Sequence, residues 1–430
     1  MDASTCDKGF DYLTRIVHDP REIDASTWNA LLLAQHGGEA CGPFMRHEYL
    51  CALHETGCAT AATGWAPHWV TLWSRDDGHM VAAAPAYAKA HSYGEYVFDW
   101  AWADAHQRHG VAYYPKGVVA VPFTPVAGPR LLARDAAARA ALVQALLAHA
   151  HASGWSSLHV LLSTPDDSHA ADAHGLMARE TVQFHWHNQH PERGRPFTDW
   201  DDFLASLSQD KRKKIRQERR KVTDAGVTIE ARRGDAISPA DWGFFFRCYA
   251  QTYWEHGNPP YLNAAFFHSV AQALSDHWLM FIARDGAGQP MAASLVALGD
   301  ATAQPRAAFG RYWGALARVD CLHFELCYYQ PLQWCIHHGV ARFEGGAQGE
   351  HKMARASYCP RRYTAATGWR TRRLRTPWAT IWRASAPPRP PIRRPCKRTH
   401  PTVRQTARGR SRRPPKSPAG LLRPNPIPTP

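Results

Sequence analysis

The densest run of chemically able side chains is Arg342-Phe-Glu-Gly-Gly-Ala-Gln-Gly-Glu-His-Lys352. Glu344 or Glu350 can take a proton as a general base. Lys352 can meet a phosphate or a carboxylate, and Gln348 adds a polar group that both donates and accepts. Gly345, Gly346 and Gly349 let a ligand come close to the backbone. The plainer alternative is a strand-to-loop turn whose charges are solvated.

Four further groups stand out. His323 and Glu325 open a helix next to the strand that carries Tyr312. Acid–base work is one reading of them, and capping of the helix dipole is the other. Glu95, Asp99 and Asp104 lie among aromatics. Buried carboxylates need partners, and Arg108 or Arg130 are the expected ones, whether for an ion pair or for ligand binding. His185 and His187 share one strand face, but a metal would need more ligands than the sequence offers. They read as a structural pair, and no metal site is expected. Lys211 to Lys221 carries six further Lys and Arg between its ends. Lys211, Lys214 and Arg216 are candidate contacts for tRNA, a nucleotide or an anionic lipid-linked precursor. A solvated connector helix ending at Gly226 is the alternative.

The elements that must position these groups repeat. Phe44 to Thr56 reads as a helix, followed by strands at His68–Trp73 and Met80–Tyr87 around the turn Asp76-Asp77-Gly78. A strand at Glu95–Trp100, a helix at Ala133–Ala152 and strands at Ser157–Leu162 and Glu180–Asn188 follow. The second pass has a helix at Phe266–Leu274 and strands at His277–Ile282, Met291–Leu298 and Phe309–Gly314. A helix at Phe324–His338 and a strand at Val340–Glu344 end it. Met80-Val-Ala-Ala83 matches Met291-Ala-Ala-Ser294, and Tyr96–Trp100 is set against Gly310–Gly314. A period near 210 residues means duplicated units rather than a solenoid. The element order predicts an α/β fold with mixed sheets and helices on their faces.

Charge divides the chain. Residues 361–430 hold 19 of the 51 Lys and Arg and no Asp or Glu, which leaves 32 basic against 37 acidic residues before them. The basic character therefore belongs to the tail, and a nucleic-acid-coating body is excluded. No signal-length or membrane-length apolar run occurs. The ten cysteines show no paired spacing and read as reduced thiols. A cytoplasmic location is expected. The expected boundaries are a first unit at 24–195, a basic connector at 196–230, a second unit at 231–360, and a basic, proline-rich disordered tail at 361–430.

Five strings resemble the FemAB-like predicted N-acyltransferases, a branch of the GNAT acyltransferase superfamily labelled as peptidoglycan-biosynthesis proteins. They are His91 to Asp104, Val121 to Arg130, Val182 to Asn188, His323 to Gln330 and Arg342 to Lys352, and they span roughly residues 40–355. The basic connector is similar to that of Fem-type aminoacyltransferases, which use aminoacyl-tRNA. The resemblance ends near Arg355. Reading Ala356 to Arg383 one base back, with GC-rich codons, restores a family-like His-Trp-Leu context. A frame shift is thus one account of the last 75 residues, and a natural basic tail is the other.

The resemblance implies two tandem GNAT-like units and transfer of an acyl or aminoacyl group to a small-molecule or peptide amine. Such transfer needs a base for the ammonium proton, donors for the oxyanion and a hold on the activated donor. No tightly bound cofactor is expected. Acyl-CoA is a candidate donor, although Ala315 to Leu322 lacks the glycines usual in a CoA-binding turn. A non-catalytic duplicated fold used for binding is the alternative. A donor-induced thermal shift lost in Glu344→Gln or Lys352→Ala separates the two.

Overall fold

The computed structural model describes residues 12–35, 42–97, 99–301, 306–345 and 359–369. Gly346, Gln348, Gly349, Glu350 and Lys352 lie outside them. The strands of the first half are β1 (Tyr12–Val17), β2 (Trp65–Pro67), β3 (Trp69–Ser74), β4 (Met80–Ala84), β5 (Ala86–Lys89), β6 (Lys116–Val119), β7 (Leu132–Ala133), β8 (Ser157–Ser163) and β9 (Met177–His187). Those of the second are β10 (Thr228–Arg233), β11 (Trp278–Arg284), β12 (Pro290–Leu298), β13 (Ala307–Ala315), β14 (Arg342–Glu344) and β15 (Cys359–Trp369). The long strand Met80–Lys89 divides at Pro85, which has no N–H to give to a ladder. On one side it joins a four-stranded sheet, β1-β3-β4-β7. On the other it joins an eleven-stranded sheet, β10-β11-β12-β13-β14-β9-β15-β8-β6-β5-β2.

Each half repeats one plan: three antiparallel pairings, then a parallel step. In the first the parallel step is β6 to β8, and in the second it is β13 to β14. A parallel step needs a crossover. The helix Ala136–Ala152 precedes β8, and the helical run Leu322–His337 precedes β14. The halves then exchange strands. β9, from the first half, pairs with β14 of the second, while β15, from the second, lies between β8 and β9. One apolar core, including Trp28, Tyr49, Trp65, Phe245, Phe266 and Phe309, draws on both halves.

Several expectations change here. The tail boundary at 361 falls inside β15, whose Ala365, Ala366 and Thr367 are buried. Arg361 and Arg362 hid this strand, but both are exposed and Arg362 pairs with Glu180. Strand β1 lies ahead of the expected start at 24, and β10 straddles 231. Glu95–Trp100 is not a strand. Gly94 (φ 80°) and Tyr96 (φ 58°) turn the chain, and a helix follows at Trp100–Arg108. The counterpart of β13 is therefore β6. The helix expected at Phe324–His338 is interrupted by a π-turn at Glu325–Tyr329. Pro331 follows directly and cannot supply an N–H to the carbonyl four residues back.

The basic helix forms as expected, over Gln209–Asp224, with Ile215, Glu218 and Val222 buried at helical spacing. Lys213, Lys214, Arg216 and Arg220 face outward, and Lys211 is half-buried.

Because β15 covers the edges of both β8 and β9, its loss would leave two unpaired ladders. A chain ended after Ile381 is expected to keep one cooperative urea transition. A chain ended at Ala356 is expected to aggregate or lose that transition, as read by size-exclusion chromatography and circular dichroism.

Candidate active site

Glu344 ends β14 and is buried. It lies where the exchanged strands meet. Its rung partner on β9 is His185, whose Nε2 is 3.6 Å from the carboxylate. Arg342 Nε stands 3.2 Å from the same carboxylate. Tyr363, from β15, brings its hydroxyl within 3.5 Å of both ring nitrogens of His185. Gln183 faces Nε2 at 3.4 Å and is itself held by a 2.7 Å bond to the Pro125 carbonyl. Burial lifts the Glu344 carboxyl to about 7, against the opposing pull of Arg342, Arg361 and Arg311. A cavity of about 160 Å³ opens on this group, walled by Phe44, Phe309, Arg130, Ser163 and Tyr363 among others.

Beside the cavity, β13 carries a bulge. Leu295 pairs with Tyr312 and Val296 with Gly310, which leaves Arg311 as the extra residue. A bulge re-aims its side chain. Arg311 Nη2 donates to the Phe123 carbonyl and the Tyr312 hydroxyl, each at 3.0 Å. Its guanidinium lies 5.4 Å from the Phe44 ring, which also packs on Phe309. Tyr312 touches Tyr249 and Phe267, and the Tyr96 and Tyr253 hydroxyls are 3.5 Å apart across the halves. Phe123 and Tyr96 both hold left-handed backbone, φ 56° and 58°. Non-glycine residues keep such conformations where surroundings enforce them, often at functional sites.

The remaining expected residues are placed elsewhere. Glu325 is buried and accepts from Arg219 of the basic helix at 3.0 Å and from Gln330 at 2.8 Å. That contact fastens the helix to the π-turn. His323 packs against Trp313, Phe324 and Tyr328. The Gly345 N–H is given to the Phe184 carbonyl. Glu95 and Asp99 do pair, but with Lys116 rather than Arg108 or Arg130. Lys116 Nζ is 2.8 Å from Glu95 and also bonds Asp99. Arg108 pairs with Asp104 on the surface, and Arg130 donates to the Leu161 and Val126 carbonyls. Lys89, also fully buried, sits 3.7 Å over the Trp65 ring. Burial lowers its ammonium to about 7 and raises Glu95 to about 7. Asp99 stays below its ordinary value. Burial pushes it up, but Lys116, His159 and the Tyr113 hydroxyl outweigh that.

Sequence reasoning missed Arg311 and Tyr363 and read His185 as structural. Alternation on β9 sets Gln183 and His185 on one face, which was the available signal. Nothing in a basic, proline-rich stretch marks Tyr363.

A family model described as FemAB-like, peptidoglycan biosynthesis/recognition, matches residues 19–380. The chain belongs to the FemAB-like family. The family match runs beyond Arg355 and through β15. No curated protein matches the chain in sequence. Among solved structures, L-PGS from Bacillus licheniformis is 11% identical, with a TM-score of 0.50 over 87% of this chain and all of its own. FemX is 11% identical at TM-score 0.50, covering 85% and 99%. The C-terminal domain of a putative lysylphosphatidylglycerol synthetase from Agrobacterium fabrum is 12% identical at 0.50, covering 84% and 97%. At these identities they share the fold: two tandem GNAT-like units.

The FemAB-like duplication allows the two halves to be compared rung by rung. The match of Met80–Ala83 to Met291–Ser294 sets Ala86 against Ala297. Ala86 pairs with Val119, and Val119 with Val160. Ala297 pairs with Phe309, and Phe309 with Glu344. Val160 therefore stands where Glu344 stands, and its neighbour Ala366 stands where His185 stands. All four first-half positions belong to an apolar core. Among the described residues the acid–imidazole pair occupies the β14–β9 rung and not the equivalent β8–β15 rung.

Lys116→Met would leave Glu95 and Asp99 buried without their cation. Stability is expected to fall by about 3–5 kcal/mol, read as a lower urea midpoint at pH 7.

Proposed function

We propose that this protein is an N-acyltransferase that joins an acyl or aminoacyl group to an amine in the cleft between its halves. The observation that carries this reading is Glu344: a buried carboxyl poised near neutrality, beside His185 and Tyr363, on the wall of a cavity. Glu344 accepts a proton from the acceptor's ammonium. The freed amine attacks the donor carbonyl, and the new C–N bond forms as the donor's thiol or hydroxyl departs with a proton. Tyr312 and Arg311 supply donors beside the reacting group.

The family description, peptidoglycan biosynthesis/recognition, and the fold shared with a putative lysylphosphatidylglycerol synthetase support an amino-acid-like group on one side of the reaction. Two donors remain in play. Acyl-CoA suits the superfamily, but residues 315–322 offer no glycine turn. Aminoacyl-tRNA is favoured by the outward Lys213, Lys214, Arg216 and Arg220. No helix among the described residues is long and apolar enough to cross a membrane.

Thermal shifts with acetyl-CoA, longer acyl-CoAs and tRNA identify the donor. A tRNA shift that weakens with salt and disappears on Lys211, Lys214 and Arg216→Ala selects tRNA. With that donor, kcat/KM should rise with pH through about 7, because Glu344 works only once deprotonated. Glu344→Gln should lower kcat by about 10²–10⁴-fold and remove that limb. An unchanged rate in this variant would overturn the assignment.

A further inference from the structure

Gln183 is buried on β9, on the same face as His185 two residues on. Its side chain bonds the Pro125 carbonyl at 2.7 Å. A carbonyl can only accept, so the amide nitrogen points there, and the amide oxygen is left for His185 Nε2 at 3.4 Å. That oxygen is also only an acceptor. The ring nitrogen facing it must therefore carry the hydrogen, and the neutral ring is bare at Nδ1. The Tyr363 hydroxyl, 3.5 Å from Nδ1, can donate to it. Beside the same Nε2–H, at 3.6 Å, is Glu344 Oε2, which is sealed from water with no hydrogen-bond partner among the described residues. Arg342 stands by the second oxygen of that carboxylate. Arg361 on β15 and Arg311 on β13 act on it electrostatically.

We infer that Gln183 is a positioning residue, whose amide holds His185 in the tautomer that aims Nε2–H at Glu344 Oε2. An N–H aimed at a carboxylate favours its ionised form, which is the form that accepts a proton. A ring with its hydrogen on Nδ1 would set a lone pair against the same oxygen and oppose ionisation. Pro125 leads into Val126–Arg130, which wall the cavity. One side chain thus ties the cavity wall to the imidazole behind the acid. The inference rests on the reading of Glu344 as the base, and it is tested by spectroscopy rather than turnover.

The full chain is labelled with nitrogen-15 histidine and studied by long-range proton–nitrogen NMR at about pH 8, above the ordinary histidine range. The His185 signals are identified by their loss in His185→Gln. The Nε2–H form should outweigh the Nδ1–H form by about tenfold or more in the wild type, and by about threefold or less in Gln183→Met. As the pH passes through about 7, the Nε2 resonance should shift with the ionisation of Glu344, and that shift should vanish in Glu344→Gln. Should Gln183→Met fail to fold, Gln183→Asn carries the test: it stays polar but is one carbon too short to reach both partners, and the same fall in ratio is expected. An Nδ1–H ring in the wild type, a ratio unchanged by the substitution of Gln183, or a shift that survives in Glu344→Gln overturns the inference. A mere clamp on Pro125 would give the unchanged ratio. Loss of turnover in Glu344→Gln beside an unchanged ratio would leave acyl transfer standing and remove the positioning role. A Gln183-dependent ratio with full turnover in Glu344→Gln would do the reverse.

Discussion

The pairing of β9 with β15 is the interaction on which the rest of the molecule depends. Nine residues of each strand are in register, from Cys359 opposite His185 to Thr367 opposite Met177. Each strand has left its own half to make this ladder. Neither half can therefore close its sheet alone, since β8 needs β15 and β14 needs β9. Strand exchange converts a tandem duplication into one continuous sheet, and it brings residues some 180 positions apart onto adjacent rungs. His185, Glu344 and Tyr363 meet for this reason, each from a different strand.

Duplication supplied two equivalent positions, and a carboxylate with an imidazole occupies one. Val160 and Ala366 fill the first with aliphatic carbon, which packs under the helix Ala136–Ala152. Glu344 and His185 fill the second. Placing a carboxylate in a sheet interior is unfavourable unless charge surrounds it, and the second half supplies Arg342 and Arg361 close by. The same balance, set differently, appears at Lys116. There one ammonium serves two carboxylates under aromatic rings. That group is enclosed completely, whereas Glu344 borders a cavity. Enclosure, more than residue type, sets the two charge clusters apart.

Periodicity and turn residues made much of the fold legible. Strands β3, β4, β8 and β11 to β14, the helix Ala136–Ala152 and the basic helix follow from local alternation, apolar stripes and caps, and the repeat of Met80–Ala83 in Met291–Ser294 announced the duplication. Where long-range pairing overrode local pattern, the reading failed. Cys359–Trp369 looks like an arginine-rich tail and becomes a central strand, because its small and β-branched residues fit between two waiting edges. Glu95–Trp100 looks like a strand and is a turn, because Gly94 and Tyr96 reverse the backbone.

The sequence by itself determined the duplicated α/β plan, the family, and Glu344 as a carboxylate at a strand end. It put the run holding Glu344 and Glu350 first, with Glu325 and Glu95 as further candidates. Only the tertiary structure set their surroundings apart. Glu325 is spent on Arg219 and Glu95 on Lys116, while Glu344 lies beside an imidazole and Arg342 on the wall of a cavity. A residue's type records what it can do, but its protonation and its partners depend on burial and on neighbours far away in the chain. Those are set when the strands choose their order in the sheet.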